Sequence, residues 1–307
     1  MEKKNFMMYV AAMAASLMAV SCTNEDTEML EVNNAHVKDL TIGTTIGWVN
    51  GSRSIQKGTY LPDGSTIGVT VTDADGNSYD GFDYKNVKFT ATGEEESQEW
   101  DGGKILLSST EGKAAAYYPY STGVTDISAI PVETDTQTDY MYSGWVEGLS
   151  NAEATVNFSM KHALSAVSVT TVMGTYTGTG KVTAISIASD GFGTEATMNV
   201  GTGALAGVKN AGSSVSWSGN YTMTGEGNIT ELMVVPNGLK EKGVAFTLTV
   251  DGKEYTASGT MSEEFKQGYI YNFTLTMNAT EMSVSTVSVN EWEITDKGNV
   301  VVSPVKQ

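Results

Sequence analysis

The chain has 307 residues, with 36 Asp+Glu against 18 Lys+Arg and a formal net charge of −18. A field of that sign repels phosphate backbones and anionic membrane surfaces, which argues against nucleic acid as a partner. One cysteine excludes an intrachain disulfide, and two histidines leave little material for a Cys/His zinc site or for histidine-based catalysis.

Residues 1–21 open with Lys3 and Lys4 and continue as an apolar run from Phe6 to Val20 that only Ser16 interrupts. The run is shorter than the roughly 20 residues that cross a bilayer, so it reads as a secretory signal peptide and not as an anchor. It ends in Ala19-Val20-Ser21 immediately before Cys22, which resembles a lipobox, where the thiol of the first mature residue carries diacylglycerol. A free buried thiol would leave that placement unexplained. The polar, acidic Thr23-Asn24-Glu25-Asp26-Thr27-Glu28 is a solvated tether that also resembles a lipoprotein surface-export signal.

Farther on, Leu40, Ile42, Ile46 and Trp48 share one parity in a Thr/Gly-rich segment, the pattern of a strand with one buried face. Just downstream, Gly51-Ser52-Arg53-Ser54 holds the chain's one arginine in a small, flexible setting that suits proteolysis. Chance depletion in a chain that prefers lysine would also account for it.

Ile67, Val69 and Val71 alternate before Asp75-Gly76 and predict a strand and turn. Asp73, Asp75 and Asn77 match the start of a calcium loop, but Ser78 and Tyr84 stand where such a loop needs glycine and glutamate. A hairpin loop is expected there, with a weak extracellular calcium site as the alternative. Tyr117-Tyr118-Pro119-Tyr120 offers rings for packing or for stacking on sugars, and packing is the expectation.

A small, polar stretch from Glu147 to Glu153 suggests a domain boundary near residue 150. His162 enters a strand carrying Val167 and Val169 and reads as structural; Ile185 and Ile187 mark another strand. Phe246, Leu248 and Val250 run into Asp251-Gly252, a tight-hairpin signal. From Tyr269 to Met277 every odd position is large and apolar or aromatic. Met282, Val284, Val287 and Val289 alternate with a phase slip near Thr286 that requires a bulge. Val300, Val301, Val302 and Val305 extend the tail, where Pro304 limits central pairing. Short strands between turns predict an all-β chain of antiparallel sandwiches. Paired carboxylates for glycoside hydrolysis are not singled out, and the chain reads as a non-enzyme without a cofactor.

The chain is similar to the fimbrillin family, the lipoprotein pilin subunits of type V pili in Bacteroidia. The resemblance rests on the lipobox and on short segments spread through the chain. Among them are Leu61-Pro62-Asp63-Gly64-Ser65-Thr66-Ile67, Ala115-Ala116-Tyr117-Tyr118-Pro119-Tyr120, Phe158-Ser159-Met160-Lys161-His162-Ala163-Leu164 and Gly268-Tyr269-Ile270-Tyr271-Asn272-Phe273. It implies two β-sandwich domains of transthyretin-like topology. Residues 1–21 would be the signal peptide and 22–53 a leader whose strand is removed on maturation. Residues 54–150 and 151–307 would be the two domains.

The resemblance further implies lipidation at Cys22, cleavage between Arg53 and Ser54 by an arginine-specific surface protease, and loss of the strand carrying Leu40, Ile42, Ile46 and Trp48. Another pilin subunit would then insert a donor strand, expected within 280–307 with Val284, Val287 and Val289 as its candidate side chains. The precursor would pass through the periplasm, be held by lipid in the outer membrane and end in a surface fimbrium that supports adhesion. The alternative is a tip adhesin, a basal anchor or an unpolymerised surface lipoprotein that binds glycan or host protein.

Overall fold

The computed structural model describes residues 37–46, 60–93, 97–279, 281–291 and 303–304, and among them there is no α-helix. The first half of the chain forms β1 (Lys38–Asp39), β2 (Thr41–Ile46), β3 (Thr66–Asp73), β4 (Tyr84–Thr92), β5 (Glu99–Gly102), β6 (Leu106–Leu107) and β7 (Gly112–Tyr118). It continues with β8 (Ile130–Glu133), β9 (Met141–Tyr142), β10 (Val146–Leu149) and β11 (Thr155–His162). The second half adds β12 (Ser165–Met173), β13 (Lys181–Ala188), β14 (Phe192–Gly193), β15 (Glu195–Met198), β16 (Leu205–Lys209) and β17 (Ser214–Thr222). Then follow β18 (Asn228–Pro236), β19 (Lys242–Val250), β20 (Lys253–Met261), β21 (Tyr269–Met277), β22 (Met282–Glu291) and β23 (Ser303–Pro304).

Hydrogen bonding orders one sheet as β2-β11-β9-β7-β3-β4-β5, with β10 also on β7, and joins β1 to β6. Its core gathers Ile67, Val69, Val71, Phe89, Leu107 and Phe158. β3, paired with β7 and β4, is buried at six consecutive positions and so on both faces, whereas β11 alternates strictly and turns Val156, Phe158 and Met160 inward. β11 lies past residue 150 yet belongs to this first sheet, so the change of core falls between β11 and β12.

Two further sheets, β14-β18-β12-β21-β22 and β17-β13-β19-β20-β23, share a core built on Val169, Ile187, Phe246 and Phe273. A three-stranded sheet, β16-β15-β8, links the two halves of the chain. The alternation read from Tyr269 to Met277 appears as β21, with Tyr271, Phe273, Leu275 and Met277 buried. The hairpin read at Asp251-Gly252 joins β19 to β20, with Val250 opposite Lys253 and φ of 50° and 75° at the two turn residues.

Antiparallel pairing dominates, as the turn spacing predicts, but β2 runs parallel to β11 and β12 runs parallel to β21. Both parallel pairs join strands far apart in the chain. Only such long connections can return a strand in the same direction, so no local turn signal announces them.

Candidate functional site at the N-terminal strand

The segment from Lys38 to Ile46 passes from one strand edge to another. Lys38 and Asp39 pair antiparallel with Leu107 and Leu106. The Leu40 N–H then donates to the Ile105 carbonyl at 2.9 Å, and the Thr41 N–H donates to the Ala154 carbonyl at 2.8 Å. From there Thr41–Ile46 runs alongside residues 155–160 of β11. One short segment therefore satisfies backbone groups on both of its sides.

Period-two geometry turns Leu40, Ile42, Thr44 and Ile46 into the first core, where they are 8%, 7%, 5% and 3% exposed, while Thr41 and Thr45 face solvent. Leu40, Ile42 and Ile46 join the same cluster as Leu107, Val156 and Phe158. Thr44 is the polar member of the inward row. Its hydroxyl donates to Gln98 Oε1 at 3.1 Å, and the Gln98 amide nitrogen donates to the Leu61 carbonyl. A Cβ placed on Gly43 would lie 2.3 Å from Asn157 Oδ1, the end of an exposed side chain, but 3.9 Å from the nearest β11 backbone atom, the Val156 carbonyl oxygen. Asp39 and Lys104 form an exposed ion pair at 3.5 Å.

Leu40, Ile42 and Ile46 thus share one face as the sequence predicts. Cys22, Trp48, Arg53 and Ser54 lie outside the described residues. Sequence reasoning missed Gln98. The available signal was a hydroxyl at an inward position between Ile42 and Ile46, but its partner lies 54 positions away.

The candidate donor side chains sit elsewhere. Val284 and Val289 are half-buried against the second core, and β22 pairs antiparallel with β21 from Met282 to Glu291. Asn272 faces Ser288 while Phe273 faces Thr286, so Val287 is the additional residue of a bulge at the predicted phase slip.

Asp73 ends β3, and Asp75 and Asn77 lie in the β3–β4 connection. Asp73 Oδ1 accepts the Asn77 N–H at 2.7 Å, and Oδ2 accepts from the Asn77 side-chain amide at 3.2 Å. These bonds, led by that from the Asn77 backbone, hold the Asp73 carboxyl below its ordinary range. The loop uses the carboxylate internally. Among the described residues, no three His, Cys, Asp or Glu side chains gather in a way that could hold a metal.

His162 is buried, with Nδ1 3.0 Å from each Asp139 carboxylate oxygen. Tyr117 is buried in the cluster that contains Ala163 and Leu164, and its hydroxyl donates to Asn86 Oδ1 at 2.7 Å. Burial raises the pKa of that hydroxyl, in keeping with a packing role. A separate cleft of about 290 Å³ lies along β17 and β18, where Trp217, Tyr221 and Glu231 line it.

Three solved structures share this fold. A candidate cell adhesion protein from Bacteroides uniformis is 22% identical, with 83% of this chain and 99% of that one covered and a TM-score of 0.64. One from Bacteroides ovatus is 21% identical, with 84% and 99% covered and a TM-score of 0.63. A third, from Bacteroides fragilis, is 12% identical, with 85% and 99% covered and a TM-score of 0.55. No curated protein sequence matches the chain. The fimbrillin-like family model matches residues 52–292, most of the chain, and this protein belongs to the fimbrillin-like family.

Proposed function

We propose that this chain is a non-enzymatic structural subunit of a cell-surface pilus. It is made as a lipoprotein precursor lipidated at Cys22 and exported through the periplasm to the outer membrane. An arginine-specific surface protease cuts it between Arg53 and Ser54, and the mature chain from Ser54 polymerises by donor-strand exchange. Adhesion is the expected use of the polymer.

The observation that carries this reading is how β2 is held. It lies upstream of the lone arginine and is bonded to Ala154 and β11, while Leu40 just before it bonds to Ile105; Leu40 and the β2 residues Ile42, Thr44 and Ile46 turn into the core. Losing Leu40, Ile42 and Ile46 would return apolar groove to water at about 1.5–3 kcal/mol per side chain and would leave ladder groups unpaired. An extended strand from a second copy relieves both costs through main-chain bonds and alternate side chains. Since the donor lies elsewhere on its own subunit, the contact is head-to-tail and propagates. Fimbrillin-like membership and the fold shared with candidate cell adhesion proteins support the same reading.

Within 280–307, the ladder between β22 and β21 commits Val284 and Val289 to their own sheet, with Val287 as the bulge residue between them. This favours the residues after Glu291 as the donor. Mass spectrometry of the N-terminus of protein sheared from cells tests the proposal. A start at Ser54 supports it, and a lipidated start at Cys22 in all surface-exposed protein overturns it.

A further inference from the structure

The groove under β2 is not uniformly apolar. At Thr44 it presents the side-chain oxygen of Gln98, which accepts the threonine hydroxyl at 3.1 Å. The orientation of that amide is imposed from behind. The Leu61 carbonyl can only accept, so the Gln98 NH₂ must face it, and the amide oxygen is turned toward the strand. Leu61 is itself buried, which anchors this contact. An aliphatic side chain at position 44 would cover the oxygen without supplying a donor, whereas a hydroxyl satisfies it.

We propose that Gln98 sets the register of the strand that a second copy of this chain inserts in place of β2, by requiring a hydroxyl where Thr44 stands. The inference rests on the strand-exchange reading above and names what the acceptor groove selects. Within residues 280–307, an apolar residue, a hydroxyl and an apolar residue at alternate positions occur only at Val301, Ser303 and Val305. They reproduce Ile42, Thr44 and Ile46 of β2. Ser303 therefore donates to Gln98, and the two valines enter the places of the two isoleucines, each one methylene smaller.

In that register Pro304 takes the place of Thr45. The Thr41 N–H bonds to Ala154, so Thr45, of the same parity, also turns its backbone toward β11. Proline cannot donate there, and the inserted strand has one ladder bond fewer than β2. The side-chain contact at Ser303 correspondingly carries more of the register. In the unassembled chain, Ser303 and Pro304 pair with Thr260 and Gly259 of β20, a short contact that insertion replaces.

The test uses the purified full-length precursor, cut with an arginine-specific protease, with polymer growth followed over time. Ser303→Ala should slow assembly about tenfold, the effect of leaving one part-buried acceptor without its donor. Ser303→Thr should assemble at the wild-type rate. In a Gln98→Leu background, Ser303→Ala should cause no further loss. If Gln98→Leu does not fold, the tail substitutions, which leave the acceptor groove intact, decide alone. Equal assembly of Ser303→Ala and wild type, or an equal loss whether or not Gln98 is present, overturns the role of Gln98 and leaves strand exchange standing. Wild-type protein that is cut, releases β2 and stays monomeric overturns strand exchange, and this inference with it.

Discussion

Tyr176 donates its hydroxyl proton to Asp251 Oδ2 at 3.0 Å, tying the β12–β13 connection to the β19–β20 hairpin. Asp251 also accepts from the Thr179 hydroxyl, from the Gly180 N–H at 3.1 Å and from the Lys181 N–H at 3.0 Å. These donors, Thr179 foremost, hold the carboxyl well below its ordinary range. A folded pKa below the unfolded one gives stability that is present above about pH 4 and is lost as pH falls through the folded value. Asp251→Asn should therefore lower the melting temperature at pH 7. The gap from wild type should close toward pH 2, as thermal unfolding across that range will show.

Ile42 lies in the first core, and truncating it removes aliphatic contacts that the groove cannot rebuild. Ile42→Ala should destabilise the precursor by about 2–4 kcal/mol in urea or guanidinium unfolding.

Gly43 and Asn157 meet across the parallel ladder, where a Cβ would lie 2.3 Å from the amide oxygen. The Asn157 side chain is exposed and can swing away, so Gly43→Val should be tolerated at a cost of about 1 kcal/mol, and Asn157→Gly should remove most of that cost. A double-mutant cycle on precursor stability measures the coupling. Full additivity would mean that the two residues do not meet.

Gly252 adopts φ of 75° and a Cβ there would meet nothing within 4 Å. Substitution is therefore opposed by backbone conformation alone. Gly252→Ala should cost about 1–2 kcal/mol, and Gly252→Asn distinctly less, since asparagine tolerates the left-handed region. Chemical unfolding of the two variants separates these outcomes.

Features set by local period were legible in the sequence. The alternation of β21, the Asp251-Gly252 turn and the bulge at Val287 each follow from neighbouring residues, and each appears where the pattern demands it. The inward row of Leu40, Ile42 and Ile46 was legible for the same reason. What stayed hidden depends on distant parts of the chain. Parallel pairing of β2 with β11 has no local signature, and neither does the inclusion of β11 in the first sheet beyond residue 150. Gln98 has an ordinary surface composition around it, and only the fold brings it to Thr44.

β2 pairs with β11 and follows a segment bonded to β6, but it does not pair with β3, the next strand in the chain. Among the described residues no hairpin ties it to a neighbour, and its covalent link to β3 runs through the residues between Ile46 and Thr66. A single break anywhere in that stretch changes the molecularity of the contact. While tethered, the strand is present at an effective concentration on the order of millimolar. Once severed it becomes a ligand with its own dissociation rate, diluted into the surrounding volume and open to competition from any strand supplied at higher local concentration.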